Sequence, residues 1–523
     1  MTIDGSILIG ARDVRRDAVF HAVDAASGAA LPQPFAEANE IDVTAACVLA
    51  EAAAEAIGTL APDARAAFIE AVAVAIEAIG DVLIETAMAE TGLPRARLEG
   101  ERGRTTGQLR MFAAEVRDGG WLDAAIDLAL PDRVPPRADL RRMNLPLGAV
   151  AVFGASNFPL AFSVAGGDTA AAFAAGCPVV VKGHPAHPGT GELAARAIVR
   201  AVEQCKLPAG TFAFLPGRSN ELGAALVADH RIKAVGFTGS RSGGLALVEI
   251  AARRAEPIPV FAEMSSINPV VLLPAAMTAR ASRLGADFVA SLTLGAGQFC
   301  TNPGLVIVHE GGGLEDFLEA ARGALDVTMR QPMLTPQIED AYLDGIASLE
   351  WNPAAARVDG GGPVHTSERP GGVLFQTTAA AFLNDKAFGR EIFGAAAVIV
   401  RCSSFEDMHH VIQSLEGQLT ATLHLDAADY QSSEPLLHLL QQKVGRILIN
   451  GWPTGVEVTR AMVHGGPFPA SSDGRSTSVG TLAMTRFLRP ICMQDVPEAL
   501  LPPPLKDGNP WNVPVCRDGQ GSG

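Results

Sequence analysis

The run Gly148-Ala-Val-Ala-Val-Phe-Gly-Ala-Ser-Asn-Phe-Pro159 is a short apolar strand that empties into a glycine- and asparagine-bearing turn. A strand with no polar alternation is buried on both faces, as in a parallel sheet. The pattern repeats downstream. Strands read over Pro178–Lys182, Ile232–Phe237 and Ile258–Ala262, and helices over Phe158–Ala175, Gly189–Cys205 and Gly243–Arg254. Alternation of this kind specifies an α/β fold with a parallel sheet, whose ligands sit at the carboxyl ends of the strands. The residues just beyond each strand are therefore the ones to examine.

Upstream, the first 130 residues read mainly as helix. Helices fit Ile41–Leu60, Pro62–Glu90 and Arg104–Val116, and the proline-rich stretch 130–146 contains an exposed strand over Ala138–Leu145. Downstream, a second α/β region spans about 263–483, with helices over Ala279–Leu292 and Leu314–Gly323. Its strands read over Leu305–His309, near Val373, over Ala395–Val400 and over Gly445–Asn450, with a glycine-rich turn at Asp359–Pro363. The segment after Pro502 reads as a mobile arm.

Composition narrows the function. Lys plus Arg number 41 against 57 Asp plus Glu, a net charge of −16, which weighs against nucleic acid and anionic membranes as partners. Seven scattered cysteines form no C-x-x-C pair, so neither a zinc ribbon nor a disulfide framework is indicated. No apolar run reaches the ~18 residues of a membrane span, and the apolar stretch Ser6–Gly10 is too short for a signal peptide. A cytoplasmic protein is expected.

Several strand ends and loops carry reactive groups. Cys300 lies in Gly295-Ala-Gly-Gln-Phe-Cys-Thr-Asn-Pro-Gly304, where backbone can approach a ligand closely; it is either a nucleophile or a buried structural thiol. Glu263 ends an apolar strand, where desolvation would raise its pKa toward that of a general base; the alternative is a surface carboxylate. Asn157 is either an oxyanion donor or a helix N-cap. Asn268 is expected to shape the turn after the Glu263 strand. Lys182 closes another strand, placed to meet a ribose hydroxyl or phosphate or else to snorkel. Gly236-Phe-Thr-Gly-Ser-Arg-Ser-Gly243 leads from a strand into a helix, a context that suits phosphate. His184 and His187 have no third ligand and are followed by prolines, so no metal site is expected.

Together the motifs resemble the aldehyde dehydrogenase superfamily over nearly the whole chain. The resemblance rests on Asn157-Phe-Pro159, Val181-Lys182, Gly236-Phe-Thr-Gly-Ser240, Glu263, Gly297-Gln-Phe-Cys300 and Glu391-Ile-Phe-Gly394, in family order. More narrowly, the segments 154–168, 297–304 and 450–458, with Arg486-Phe-Leu-Arg-Pro490, resemble the α-ketoglutaric semialdehyde (2,5-dioxopentanoate) dehydrogenases. NADP-dependent dehydrogenases of long-chain aldehydes are similar in several of these segments.

The resemblance implies a Rossmann-like nucleotide-binding domain (1–131 and 148–262), an α/β catalytic domain (263–483) and a small oligomerisation sheet (132–147 and 484–500), with 501–523 as a tail. It implies Cys300 as nucleophile, Asn157 and the Cys300 amide as oxyanion donors, and Glu263 as the base that hydrolyses a thioester. NAD or NADP is the implied cofactor, met by Ser156, Lys182, Thr238, Gly239, Ser240, Glu391 and Phe393. The glutamate that many members place shortly after the lysine is absent here. That relieves repulsion toward a 2′-phosphate, for which Arg218 is a candidate partner. Arg104 is the candidate clamp for a substrate carboxylate, its alternative being a solvated helix-start arginine, and Phe162, Ala165 and Trp452 are candidate tunnel residues. The expected activity is oxidation of 2,5-dioxopentanoate to 2-oxoglutarate. Oxidation of aliphatic aldehydes, a non-catalytic binding role and acyl transfer to coenzyme A are the alternatives, and a homodimer or homotetramer is expected.

Overall fold

The computed structural model describes residues 2–358 and 370–521; the glycine-rich turn at Asp359–Pro363 lies outside them. Among the described residues, two seven-stranded sheets and one five-stranded sheet organise the chain. The first sheet carries its parallel strands in the order Val260–Glu263, Ala234–Thr238, Val150–Phe153, Val179–Lys182 and Phe212–Leu215. Val150, Ala151, Val179 and Val180 have no measurable exposure, as expected for strands covered by helices on both faces.

Chain order reverses between Val150–Phe153 and Ala234–Thr238. One leads outward to the next two strands on its side and the other to Val260–Glu263, so the crevice between them is a topological switch point. Register brings the strand ends level. Thr238 pairs with Glu263, Phe237 with Phe153, and Phe153 with Lys182.

Several expectations need correction. The N-terminal stretch is not mainly helical at its start, because four strands precede the first helix. Ile7–Ile9 joins the first sheet by pairing antiparallel with Phe212–Leu215, a partner some two hundred residues away. The helix expected over Phe158–Ala175 is helical only over Gly167–Ala175. Before it the chain folds back on itself, with Ala155 N donating to Phe162 O and Gly167 N to Ala161 O. A Cβ at Gly166 would lie 2.5 Å from Ala161 O. The stretch 62–90 is likewise two helices, Pro62–Glu77 and Asp81–Thr91, separated near Gly80.

The C-terminal segment is not a free arm. Val515–Arg517 pairs in parallel with Ala124–Asp127, which pairs with Leu140–Pro146, which in turn pairs with Leu488–Gln494. Leu501, Leu505, Val513 and Val515 are buried in the core of the first sheet's half. Arg141 fixes the segment through Leu505 O and the Asp507 carboxylate, each at 2.7 Å.

The second large sheet is parallel except for the short Ala356–Arg357 edge. It follows Glu263 in the chain, and the loops leading into its Leu305–His309 and Ala396–Cys402 strands line one cleft together.

Candidate active site

Cys300 sits in a loop whose backbone is forced into unusual conformations. Gly295, Ala296 and Gly297 all have positive φ, between 56° and 72°. Glycine at 297 also permits a close approach, since a Cβ there would stand 2.3 Å from Ala395 N and Gly394 C. The Glu391–Gly394 turn therefore packs directly on the Cys300 loop, and Asn302 Nδ2 ties it down by donating to Gly394 O at 3.0 Å. Asn268, at φ 47°, does more than shape a turn: its Nδ2 donates to Cys300 O at 2.8 Å and to Asn302 O at 2.9 Å.

Asn157 enters from the other side, with its Nδ2 donating to Gln298 O at 3.0 Å. It caps no helix, because the helix begins ten residues later. Arg97 holds it by donating to Asn157 O at 2.8 Å. The Cys300 amide donates no hydrogen bond among the described residues. An N–H left unpaired beside a thiol is an available oxyanion donor.

Glu263 is buried and does not act alone. Its Oε1 is 3.0 Å from His464 Nε2, which also stands 3.4 Å from Cys300 Sγ. Ser478 Oγ donates to Glu263 Oε2. Burial by itself would raise the Glu263 pKa, as the sequence suggested. The charge of His464, and hydrogen bonds from His464, Ser478 and Cys300, reverse this and leave the pKa lowered. The thiol moves the other way: burial, then the Glu263 charge, push Cys300 well above its ordinary value, while Arg104 pulls it back.

No motif in the sequence singles out His464. It lies in the long loop after Asn450, where no periodicity marks it. The loop is recruited by Met264 N donating to Ala470 O and by Ser472 donating to Ala262 O. His464 N is then fixed on Thr477 Oγ1, and Ser478 N donates to His464 O.

The helix Arg95–Asp118 presents Arg97, Glu101 and Arg104 to the site, residues spaced to share one face. Glu101 Oε1 accepts from the amides of Leu160 and Ala161, bracing the turn beyond Asn157. That spacing was the signal that could have revealed Arg97 and Glu101. Arg104 is not a solvated helix-start residue. The helix begins nine positions earlier, and the Arg104 Nε and Nη2 are buried without a hydrogen-bond partner. Its guanidinium lies 5.2 Å from the Phe162 ring centroid and 5.7 Å from that of Phe158.

Phe162 joins Phe158, Phe299, Val456, Val458 and Met462 in one apolar cluster. The other two tunnel candidates lie elsewhere. Ala165 is buried in the core of the first sheet, and Trp452 packs on His424 and Phe288 in the second region.

At the switch-point crevice, Thr238 is half-buried while Gly239 and Ser240 are exposed at the start of the Arg241–Ala252 helix, and Ser156 is half-buried across from them. Burial lowers Lys182 to about 8 despite the opposing charge of Glu37. Arg218 does not stand free for a phosphate: its Nε pairs with Glu37 Oε1 at 2.8 Å, and its amide donates to Glu37 Oε2. A carboxylate thus occupies this end of the crevice after all, supplied by Glu37 from a distant segment that the sequence reading missed.

Glu391 and Phe393 line a cleft with Gly297, Phe299 and Asn302. Glu391 accepts only a long 3.4 Å bond from Ser266 N, and burial raises its pKa to about 8. An underused carboxyl beside the nucleophile, a strand-end lysine and an open helix N-terminus fit a nicotinamide ribose, an adenosine ribose and a pyrophosphate.

Comparison with known proteins identifies the family. Residues 16–488 match the sequence profile described as the aldehyde dehydrogenase family. Alpha-ketoglutaric semialdehyde dehydrogenase 2 of Azospirillum brasilense is 54% identical over 523 residues, covering 99% of this chain and 100% of that protein. Alpha-ketoglutaric semialdehyde dehydrogenase of Acinetobacter baylyi is 47% identical over 451 residues, covering 86% and 85%. Among solved structures, a 1-pyrroline-5-carboxylate dehydrogenase from Thermus with bound NAD superposes with a TM-score of 0.80 at 20% identity, over 94% of this chain and 92% of that one. The fold is thus the aldehyde dehydrogenase fold, and by the extent of the sequence match this chain belongs to the aldehyde dehydrogenase family.

Proposed function

We propose that the protein oxidises 2,5-dioxopentanoate to 2-oxoglutarate with NAD or NADP, the reaction named for its two relatives above. The observation that carries the substrate is Arg104, a buried guanidinium with unpaired Nε and Nη2 close enough to Cys300 for their charges to interact. Leaving such donors unpaired costs about 1–3 kcal/mol or more, which a distal carboxylate accepting a bidentate pair would recover. The rings of Phe158 and Phe162 beneath the guanidinium would guide the aliphatic stem.

The Cys300 thiol, protonated at rest, releases its proton to solvent as Sγ attacks the aldehyde carbon. The resulting oxyanion is met by Asn157 Nδ2 and the Cys300 amide. The nicotinamide nucleotide supplies hydride acceptance when bound. Glu391 and Phe393 would hold its ribose end, and Ser156, Lys182, Thr238, Gly239 and Ser240 would hold the rest. Glu263, buried and ionised, then takes a proton from the water that hydrolyses the thioester. Retention of this base favours hydrolysis over acyl transfer to coenzyme A and speaks against a non-catalytic role.

The same reading assigns nucleotide binding to the first sheet, catalysis to the second region and oligomerisation to the five-stranded sheet. In that sheet Leu488–Gln494 forms one edge, and an unpaired edge invites a second copy of the chain as a homodimer or homotetramer. Among the described residues no helix is long and apolar enough to cross a membrane. The free cysteines support placement in the reducing cytoplasm.

The test is steady-state NAD(P)H formation with 2,5-dioxopentanoate and with an aliphatic aldehyde, beside Cys300→Ala and Arg104→Met. The proposal expects kcat/KM for the dicarbonyl acid to fall about 10- to 100-fold in Arg104→Met, the worth of a charged hydrogen bond. The aliphatic aldehyde should be little affected. Equal losses for both substrates would remove the carboxylate clamp, and a preference for the aliphatic aldehyde would replace the substrate assignment.

A further inference from the structure

The nucleophile belongs to a three-donor set. Cys300 Sγ lies 3.4 Å from His464 Nε2, His464 Nε2 lies 3.0 Å from Glu263 Oε1, and all three donor atoms fall within 4.8 Å of one another. Tetrahedral zinc, with Zn–S near 2.3 Å and Zn–N or Zn–O near 2.0–2.2 Å, places its donors about 3.3–3.6 Å apart. The two close pairs are within a few tenths of an ångström of that spacing before any side chain moves. Thiolate, imidazole and carboxylate together are also a donor mixture that suits zinc and not magnesium or calcium. Glu263 Oε1 is buried 3.0 Å from His464 Nε2, so this oxygen already faces the cluster.

Two features limit such a site to reversible occupancy. Histidines that hold resident zinc brace their second nitrogen on an outer acceptor. Here His464 Nδ1 is buried and has none. Arg97, Arg104 and Arg446 are all close enough to the thiol to feel its charge, and they oppose a dication. The carboxylates of Glu263 and Glu391 oppose those arginines.

We propose that free Zn²⁺ binds Cys300, His464 and Glu263 as a reversible inhibitor that competes with the aldehyde. The Sγ–Zn bond forms as the S–H proton leaves to solvent. His464 releases its Nε2 proton to solvent and coordinates through that nitrogen with its other proton on Nδ1, Glu263 coordinates through Oε1, and water completes the tetrahedron. No oxidation state changes. One ion thereby removes both the nucleophile and the hydrolytic carboxylate. Because it engages the catalytic side chains themselves, the inhibition does not depend on which aldehyde the enzyme oxidises.

Full-length protein stripped of metal would be titrated with ZnCl₂ against a chromophoric chelator, with NAD(P)H formation followed in parallel. The expected result is one zinc per chain, loss of turnover in the same range, recovery on adding EDTA and no effect of Mg²⁺. Zinc affinity should fall at least about tenfold in His464→Gln and in Cys300→Ser, since even outer partners of metal ligands are worth that much. Two measurements avoid any dependence on how well those variants fold. Wild-type protein should show a near-ultraviolet thiolate-to-cobalt band with Co²⁺, and iodoacetamide-treated wild-type protein should lose both the band and the zinc. Unchanged zinc affinity in the alkylated protein, or no cobalt–thiolate band, would overturn the proposal and place any bound metal elsewhere.

Discussion

Cys300 is governed by influences of opposite sign, and their balance sets its resting chemistry. Burial and the Glu263 charge keep it a thiol, while Arg104 and the nearby imidazole provide for a thiolate when an aldehyde arrives. A protonated thiol is the less easily oxidised form. In the proposed reaction Glu263 serves a later step, and its lowered pKa keeps it ionised as an acceptor for the hydrolytic water. Glu263→Gln should therefore still release about one equivalent of NAD(P)H per active site, with steady-state turnover reduced about 10²- to 10⁴-fold, the usual worth of a general base. Stopped-flow absorbance separates the burst from the steady state. Ser478 is a positioning residue whose hydroxyl lowers the Glu263 pKa. Ser478→Ala should raise that pKa, so the acidic limb of kcat moves to higher pH, as a pH–rate profile would show.

At the scale of elements, the parallel strands of the first sheet act as a ruler. Their register sets Glu263, Thr238 and Lys182 at one edge, and the chain reversal between Val150–Phe153 and Ala234–Thr238 opens the crevice they face. Lys182 titrates near 8 because burial disfavours its ammonium, while Glu37 retains part of the charge. In protein without nucleotide the cation is present below about 8 and lost above it. The KM for the nucleotide should accordingly rise as pH passes through 8, and Lys182→Met should flatten that rise. Glu37→Gln removes the opposing charge, depresses the lysine pKa further and should move the rise to lower pH. Initial rates at saturating aldehyde between neutral and alkaline pH check all three.

The whole molecule is tied together by segments distant in sequence. The C-terminal residues complete the five-stranded sheet and bury Leu501, Leu505, Val513 and Val515 against the first core. Each fully buried aliphatic side chain is worth about 1.5–3 kcal/mol. Ending the chain at Pro497 should lower the thermal midpoint and expose the Ala124–Asp127 strand as a second unpaired edge, with aggregation as the consequence. Differential scanning fluorimetry and light scattering on the truncated chain test this. Unchanged stability would return the segment to a loosely held arm.

What the sequence determined by itself was local. Continuous apolar runs such as Val179–Val181 announce parallel strands, and glycine- and asparagine-bearing turns at their ends single out Asn157, Glu263 and Cys300 as candidates, because strand burial and turn geometry depend on near neighbours. The tertiary structure decided what pairing across long separations controls. Ile7–Ile9 reads as an isolated apolar triplet until it meets Phe212–Leu215, and the C-terminal strand is a polar tail until Ala124–Asp127 receives it. His464 stands 164 residues from Cys300 along the chain, in a loop with no pattern of its own, and becomes the thiol's neighbour only when the backbone of residues 470–472 docks beside the Glu263 strand. The Glu263 pKa departs from its expected direction for the same reason. Desolvation follows from a strand end and was legible, whereas the opposing charge and hydrogen bonds come from His464 and Ser478, which only the folded chain brings there.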